Sequence, residues 1–357
     1  MMRKLVKILT ALALTAWALA LLLLPKLTSQ AVTDGLRLCA GVLLPSLFPF
    51  FVCTNLLCAL GLTAKLSKLM RPLMQPLFRV GGNGAGALIM GLIGGYPAGA
   101  QNVASLYESK QISKDEAAQL LKFCCACGPA FLIGVVGTQL CSNAKTGLIL
   151  YLIHLIGAIL TGIFLRPQSS ISAKIPSEKA TSVPSFSAAF TKSVQKAGAS
   201  ALQVCMFVVT FRVLSELLLY LLPNALDLPV AGILELSTGI AHLADAPLPQ
   251  TATLTLASFF AGFGGFGVYA QTAALLTDAG LPIHGYLSAK LLHGSICAGI
   301  TFVVFSLFPT FADATPVSTF PVFSPIVPIV VGIWLLCGLI CHIFHKVASR
   351  NLQNHRV

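Results

Sequence analysis

What this chain has least of is acid. Its 357 residues include 11 Asp and Glu, against 23 Lys and Arg and 7 His. Charged side chains make up 10% of it, where a soluble domain carries about 25%. Tryptophan occurs twice, while 56% of the residues are hydrophobic and the mean hydropathy is +0.86. A water-soluble globule must cover itself with polar groups, and this chain lacks them. A soluble enzyme, a nucleic-acid-binding domain and a disordered regulator are excluded on that ground. The net charge of +12 sits in loops between apolar runs, which marks membrane topology rather than a phosphate footprint. Nucleic acid is therefore not an expected partner, and the lipid bilayer is.

A disulfide framework is missing as well. Eleven cysteines is an odd number, and several lie inside apolar runs, among them Cys53, Cys58, Cys124, Cys125, Cys205 and Cys297. There they act as small hydrophobes. Cys124 and Cys127 have CxxC spacing with nothing resembling a thioredoxin unit around them. Cys337, Cys341, His342 and His345 read as the edge of a helix bundle rather than as a metal cluster. No metal and no cofactor is expected.

What is present is a series of apolar runs. MMRKLVK leads into an apolar stretch from Ile8 to Leu24. That is too long for a signal-peptide core, and its basic flank puts the N-terminus in the cytoplasm. A span at about 36–60 carries Pro45 and Pro49, and further spans are expected at 147–165, 197–222, 284–308 and 326–344. SKDEAAQLLK at 113–122 has the pattern of a capped amphipathic helix, with Ser113 as N-cap and Glu116 three residues on. The segments at 81–110, 123–140, 230–244 and 251–280 are apolar but interrupted by glycine, proline or polar residues. The chain thus divides into an extra N-terminal membrane helix (1–30), a first membrane repeat (31–165), a polar cytoplasmic linker (166–196), a second repeat (197–346) and a basic tail (347–357). The expected fold is an all-α polytopic membrane protein with an inverted repeat and two re-entrant or discontinuous helical hairpins.

The repeat is read from an offset of 170 residues. It places Gly94-Gly95-Tyr96 on Gly264-Gly265-Phe266 and Ala100-Gln101 on Ala270-Gln271. Basic stretches at 61–80 and 166–196 should both face the cytoplasm. The two repeats then enter the membrane from opposite sides, as in many secondary transporters.

LLPSLFPFF, GLIGGYPAGA, GPAFLIG and GGFGVYAQ together closely resemble the sporulation integral membrane protein YlbJ family of endospore-forming bacteria. That family lies within the nucleoside-recognition Gate group, related to concentrative nucleoside transporters. The resemblance implies transport of dipicolinate across the mother-cell-derived outer forespore membrane by alternating access. It leaves a nucleoside or nucleobase carrier and a non-transporting structural sporulation factor as alternatives. It implies no enzyme, and no nucleophile–base pair or soluble catalytic domain is seen. Where a polar pair would be expected before GPAF, this chain has Cys124-Cys125-Ala126-Cys127. The expected partners are a small-molecule anion, the bilayer and a homo-oligomeric copy.

The candidate substrate residues are those at the breaks: Gly94, Gly95, Tyr96, Gln101, Asn102, Gly128, Gly264, Gly265 and Gln271. Glycine doublets let the backbone break and a ligand approach, or else serve close helix packing. The amides suit a carboxylate or a ring nitrogen, or an interhelical bond. Glu235, with Ser237 and Thr238, could hold a coupling proton or ion, since a carboxyl inside an apolar segment is costly to keep without use. Arg212 could contact an anion or pair with Glu216 four residues on. Lys290 and His293 share a helix face, and either attract an anion or sit at the membrane interface and snorkel.

Overall fold

The computed structural model describes residues 2–171 and 185–311, so the expected span at 326–344, the tail and the Cys337–His345 group lie outside the described residues. Every element there is helical. In chain order they are α1 (Met2–Leu23), α2 (Pro25–Leu38), α3 (Leu44–Ala59), α4 (Leu62–Phe78), α5 (Ala85–Gly94), α6 (Tyr96–Glu108), α7 (Lys114–Cys124), α8 (Ala144–Phe164), α9 (Phe186–Leu219), α10 (Asp227–Leu234), α11 (Leu236–Asp245), α12 (Gln250–Phe263), α13 (Gly265–Asp278) and α14 (Tyr286–Leu307). Among the described residues five helical stretches are long and apolar enough to cross a membrane. The chain is an all-α, multi-pass membrane protein.

Local chemistry accounts for the interruptions. Pro45 and Pro49 lack the N–H that a regular turn needs, and the chain opens into a wide π-turn at Cys39–Leu43 before α3 continues. Ser113 and Glu116 form the expected capping box on α7. The structure adds a second use of Glu116, whose buried carboxylate also accepts from Gly81 N–H at 2.9 Å and ties α7 to the turn after α4. Pro129 removes the N–H that would have bonded the Cys125 carbonyl four residues back. The backbone unwinds there, from Cys125 to the π-helical stretch Ala130–Leu140.

Two hairpins and two broken spans result. Around Gly95 (φ 85°), α5 and α6 fold back on each other with Gly99 against Gly91, and both glycines press on the Cys124 carbonyl with no room for a Cβ. Around Glu235, α10 and α11 do the same, with Gly239 against Gly232. By contrast α12 and α13 run on as one 29-residue span, Gln250–Asp278, interrupted at Gly264 and Gly265 (φ 82° and 76°). This corrects the register of the internal repeat. The 170-residue offset lays a hairpin (α5–α6) on a broken span (α12–α13), because glycine doublets mark either kind of break. The order that recurs is hairpin, broken span, span. It is α5–α6, then α7 through 140, then α8; and again α10–α11, α12–α13, α14. The hairpin tips, Gly95 and Glu235, are 140 residues apart. The reading of 166–196 as linker also shortens, because α9 begins at Phe186.

Charge then orients the chain. With Lys65, Lys68, Arg71 and Arg79 on the cytoplasmic side, hairpin α5–α6 enters from there and returns to Lys110 and Lys114. The broken span 114–140 and α8 lead out and back to Arg166, and Arg79 donates to the Pro167 carbonyl at 2.9 Å. α9 crosses outward, so hairpin α10–α11 enters from the opposite face, between Asp227 and Asp245. The repeat is inverted.

Candidate functional site

The four breaks meet. An open pocket of about 570 Å³, the part open to solvent included, is lined by the tip of hairpin α5–α6 (Gly94, Gly95, Tyr96, Pro97) and by the unwound stretch of the first broken span (Cys127, Gly128, Ala130, Phe131). The tip of hairpin α10–α11 (Glu235, Leu236, Ser237) and Val268 and Gln271 of α13 close it. Apolar walls come from α3 and α9, among them Phe50, Phe51, Val204 and Val208.

Each break frees backbone groups that need new partners. The Leu92 carbonyl, at the end of α5, accepts from the Tyr151 hydroxyl at 3.0 Å. The Ala261 carbonyl, at the end of α12, accepts from the Tyr96 hydroxyl, and Tyr96 therefore joins the first hairpin to the second broken span. The Cys125 carbonyl freed by Pro129 accepts from Lys290 Nζ at 2.5 Å. The two hairpin tips differ in polarity. Glu235 caps α11 with its own carboxylate, taking Ser237 N–H at 3.0 Å and Thr238 N–H at 2.7 Å. No side chain caps α6 after Gly95; its first turn lines the pocket through Tyr96 and Pro97, and although Pro97 has no N–H to offer, the positive end of the helix dipole lies there.

Gln271 is the pocket's unpartnered polar side chain. It is 7% exposed, and its amide makes no hydrogen bond to any other described residue. A buried amide without a partner costs about 1–3 kcal/mol, which marks a position awaiting a ligand or water.

Of the residues singled out from sequence, Gly94, Gly95, Tyr96, Gly128, Glu235, Ser237 and Gln271 come together here. Gly264 and Gly265 stand behind them, Gly264 against the Tyr96 ring and Gly265 against Leu234 and Glu235. Thr238 is fully buried and contributes its backbone N–H to Glu235. Gln101 is elsewhere, donating to Ser200 Oγ on α9 at 3.3 Å, and Asn102 bonds back to Ala98 of its own helix at 2.9 Å. Arg212 pairs with Glu216 at 2.9 Å on α9, outside the pocket. Lys290 and His293 are both fully buried, so the reading of an interfacial, snorkelling pair is overturned. Packing of α14 against α8 and α12 turns their face inward.

Sequence reasoning missed Phe131 and Val268, which look like ordinary apolar filler, and it missed His154; Cys127 it noted only for its CxxC spacing and its place in the run before GPAF. Across α8 and α14, ligating atoms of His154, His293 and Cys297 lie within 4.8 Å of one another, all buried. Their ring nitrogens are already used. Cys127 N–H donates to His154 Nε2 at 2.8 Å, so the His154 proton is on Nδ1, which faces Cys297 Sγ at 3.9 Å. His293 Nε2 faces the His154 carbonyl at 3.1 Å and must carry its proton, leaving Nδ1 as acceptor for Lys290 at 3.0 Å. With both imidazole acceptor nitrogens engaged, the trio is held together as a hydrogen-bonded core.

Two stretches of similarity to known proteins cover much of the chain. Residues 40–144 match the family described as Gate, nucleoside recognition. That segment contains hairpin α5–α6 and the first broken span. Over 316 residues the chain is 29% identical to the sporulation integral membrane protein YlbJ of Bacillus subtilis (strain 168), covering 77% of this chain and 76% of the relative. No solved structure matches the chain. It is a multi-pass membrane protein with a segment similar to the Gate, nucleoside-recognition family, and similar over most of its length to a sporulation integral membrane protein of Bacillus subtilis.

Proposed function

We propose that this protein is a sporulation-associated transporter of a small planar organic anion, dipicolinate first among them, across the mother-cell-derived outer forespore membrane. The observation that carries the reading is the pocket at the junction of four helix breaks, with the unpartnered Gln271 amide inside it. Phe50, Phe51 and Phe131 supply apolar surface for a flat ring. The uncapped start of α6, where Tyr96 and Ala98 but not Pro97 carry an N–H, and the Gln271 amide supply donors for carboxylates. Glu235 is the coupling group: when protonated it lets an anion share the pocket, and when ionised it repels one. Anion and proton therefore move together. Two hairpins entering from opposite faces provide the two gates of alternating access, and no covalent chemistry is needed.

A nucleobase or nucleoside carrier is the second reading, favoured by one observation: the pocket lining holds an acid and an amide, and no Lys or Arg. Uptake of labelled dipicolinate into vesicles carrying the purified protein, with uridine as comparison, separates the two. Accumulation of dipicolinate above empty vesicles is expected, increased by an acid-outside gradient. Uridine alone accumulating selects the second reading, and neither accumulating rejects transport by the isolated protein.

A further inference from the structure

Lys290 is a buried cation that the pocket lining does not include. Its ammonium has three donors and three partners: the Cys125 carbonyl at 2.5 Å, His293 Nδ1 at 3.0 Å and the face of the Tyr96 ring, 4.9 Å from its centroid. That arrangement uses every proton of a charged ammonium. Both imidazoles of the cluster are neutral by the hydrogen bonds given above, so they do not share the charge. Among the described residues Lys290 forms no ion pair, and the two fully or nearly buried acids of the bundle are bonded elsewhere. Glu235 holds the start of α11, and Glu116 holds Gly81 and Ser113. Among the described residues the cluster thus carries one uncompensated positive charge inside an apolar bundle, a costly arrangement that structure alone does not require. Two of its three partners form the pocket wall or adjoin it: Tyr96 lines the pocket, and Cys125 is two residues before Cys127, which does too.

We propose that Lys290 is the specificity-determining charge of the site. It acts from behind the wall, through Tyr96 and the unwound Cys125–Gly128 backbone, without touching the substrate. Its counter-ion is the transported anion. This rests on the transport reading above and deepens it, for it explains how a pocket lined by one acid and no base selects an anion. Lys290 is a positioning residue for charge, and its removal alters which ligand is preferred rather than whether any ligand fits.

The test compares pyridine-2,6-dicarboxylate with pyridine-2,6-dicarboxamide, its neutral counterpart of the same shape, by equilibrium binding to purified full-length protein. The variants are Lys290→Gln, which keeps a donor for the Cys125 carbonyl and so protects the fold, and Lys290→Met. In the wild type the dicarboxylate is expected to bind more tightly than the diamide. In both variants dicarboxylate binding is expected to weaken about tenfold or more while diamide binding stays within about twofold, the loss of one charge–charge term at partial screening. Equal weakening of both ligands, or no change in either, overturns the proposal and leaves Lys290 as a structural latch. If the wild type binds neither ligand, the transport reading itself fails, a distinct result.

Discussion

The two hairpins have the same construction and opposite tips. In each, a pair of glycines lets two short helices cross at backbone contact, Gly91 with Gly99 and Gly232 with Gly239. At the tip of α5–α6 stands Gly95, with no side chain and an uncapped helix start behind it. At the tip of α10–α11 stands Glu235, whose carboxylate already fills the equivalent helix start. One helix start has no side-chain cap and the other is capped by its own carboxylate. Under the proposed function that asymmetry gives one tip to the substrate and the other to the ion that travels with it.

The largest expected effect tests the shared construction. Gly99→Val drives a branched side chain into the Cys124 carbonyl and should cost about 3 kcal/mol or more, enough to remove folded protein. Gly239→Val, which meets the Gly232 backbone, should do comparable damage to the other hairpin. Thermal unfolding in detergent measures both, and a variant that melts like wild type would mean its hairpin is not closed as described. Next comes the difference between tips. Glu235→Gln should abolish uptake, yet cost only about 1 kcal/mol as a weakened helix cap. An imposed pH gradient should then no longer drive accumulation. Retained gradient-driven uptake would move the coupling group elsewhere.

Smaller effects separate two glutamines that look alike in sequence. Gln271→Ala should eliminate uptake and change stability by no more than about 0.5 kcal/mol, because its amide leaves no protein partner behind. Gln101→Ala should leave uptake unchanged and cost about 0.6 kcal/mol, the usual value of an interhelical hydrogen bond in a membrane. Uptake lost in Gln101→Ala, or kept in Gln271→Ala, would reverse their roles.

These two residues show what was legible. Ala-Gln follows a glycine doublet in both places, and nothing in the neighbouring text tells them apart. Their difference comes from the architecture, since Gln101 lies on the second arm of a hairpin against α9 and Gln271 on a broken span that faces the pocket. Glu235 was found because a carboxyl in an apolar run is conspicuous. Cys125 and Cys127 were noticed only for their side chains, whereas it is their backbone groups that bond Lys290 and His154. His154 and His293 are 139 residues apart, a distance over which no local pattern can join them.

Composition and charge were enough to establish a multi-pass helical membrane protein, because a chain this poor in polar groups has no other way to hide its apolar surface. They also located the breaks, since proline and glycine act on the backbone within four residues of themselves. Local chemistry could not say which breaks turn the chain back and which merely interrupt a crossing, so the internal repeat was matched in the wrong register. That distinction depends on close contact between segments, such as Gly99 against Gly91. The gathering of four breaks into one pocket, with an uncompensated lysine behind it, likewise belongs to packing.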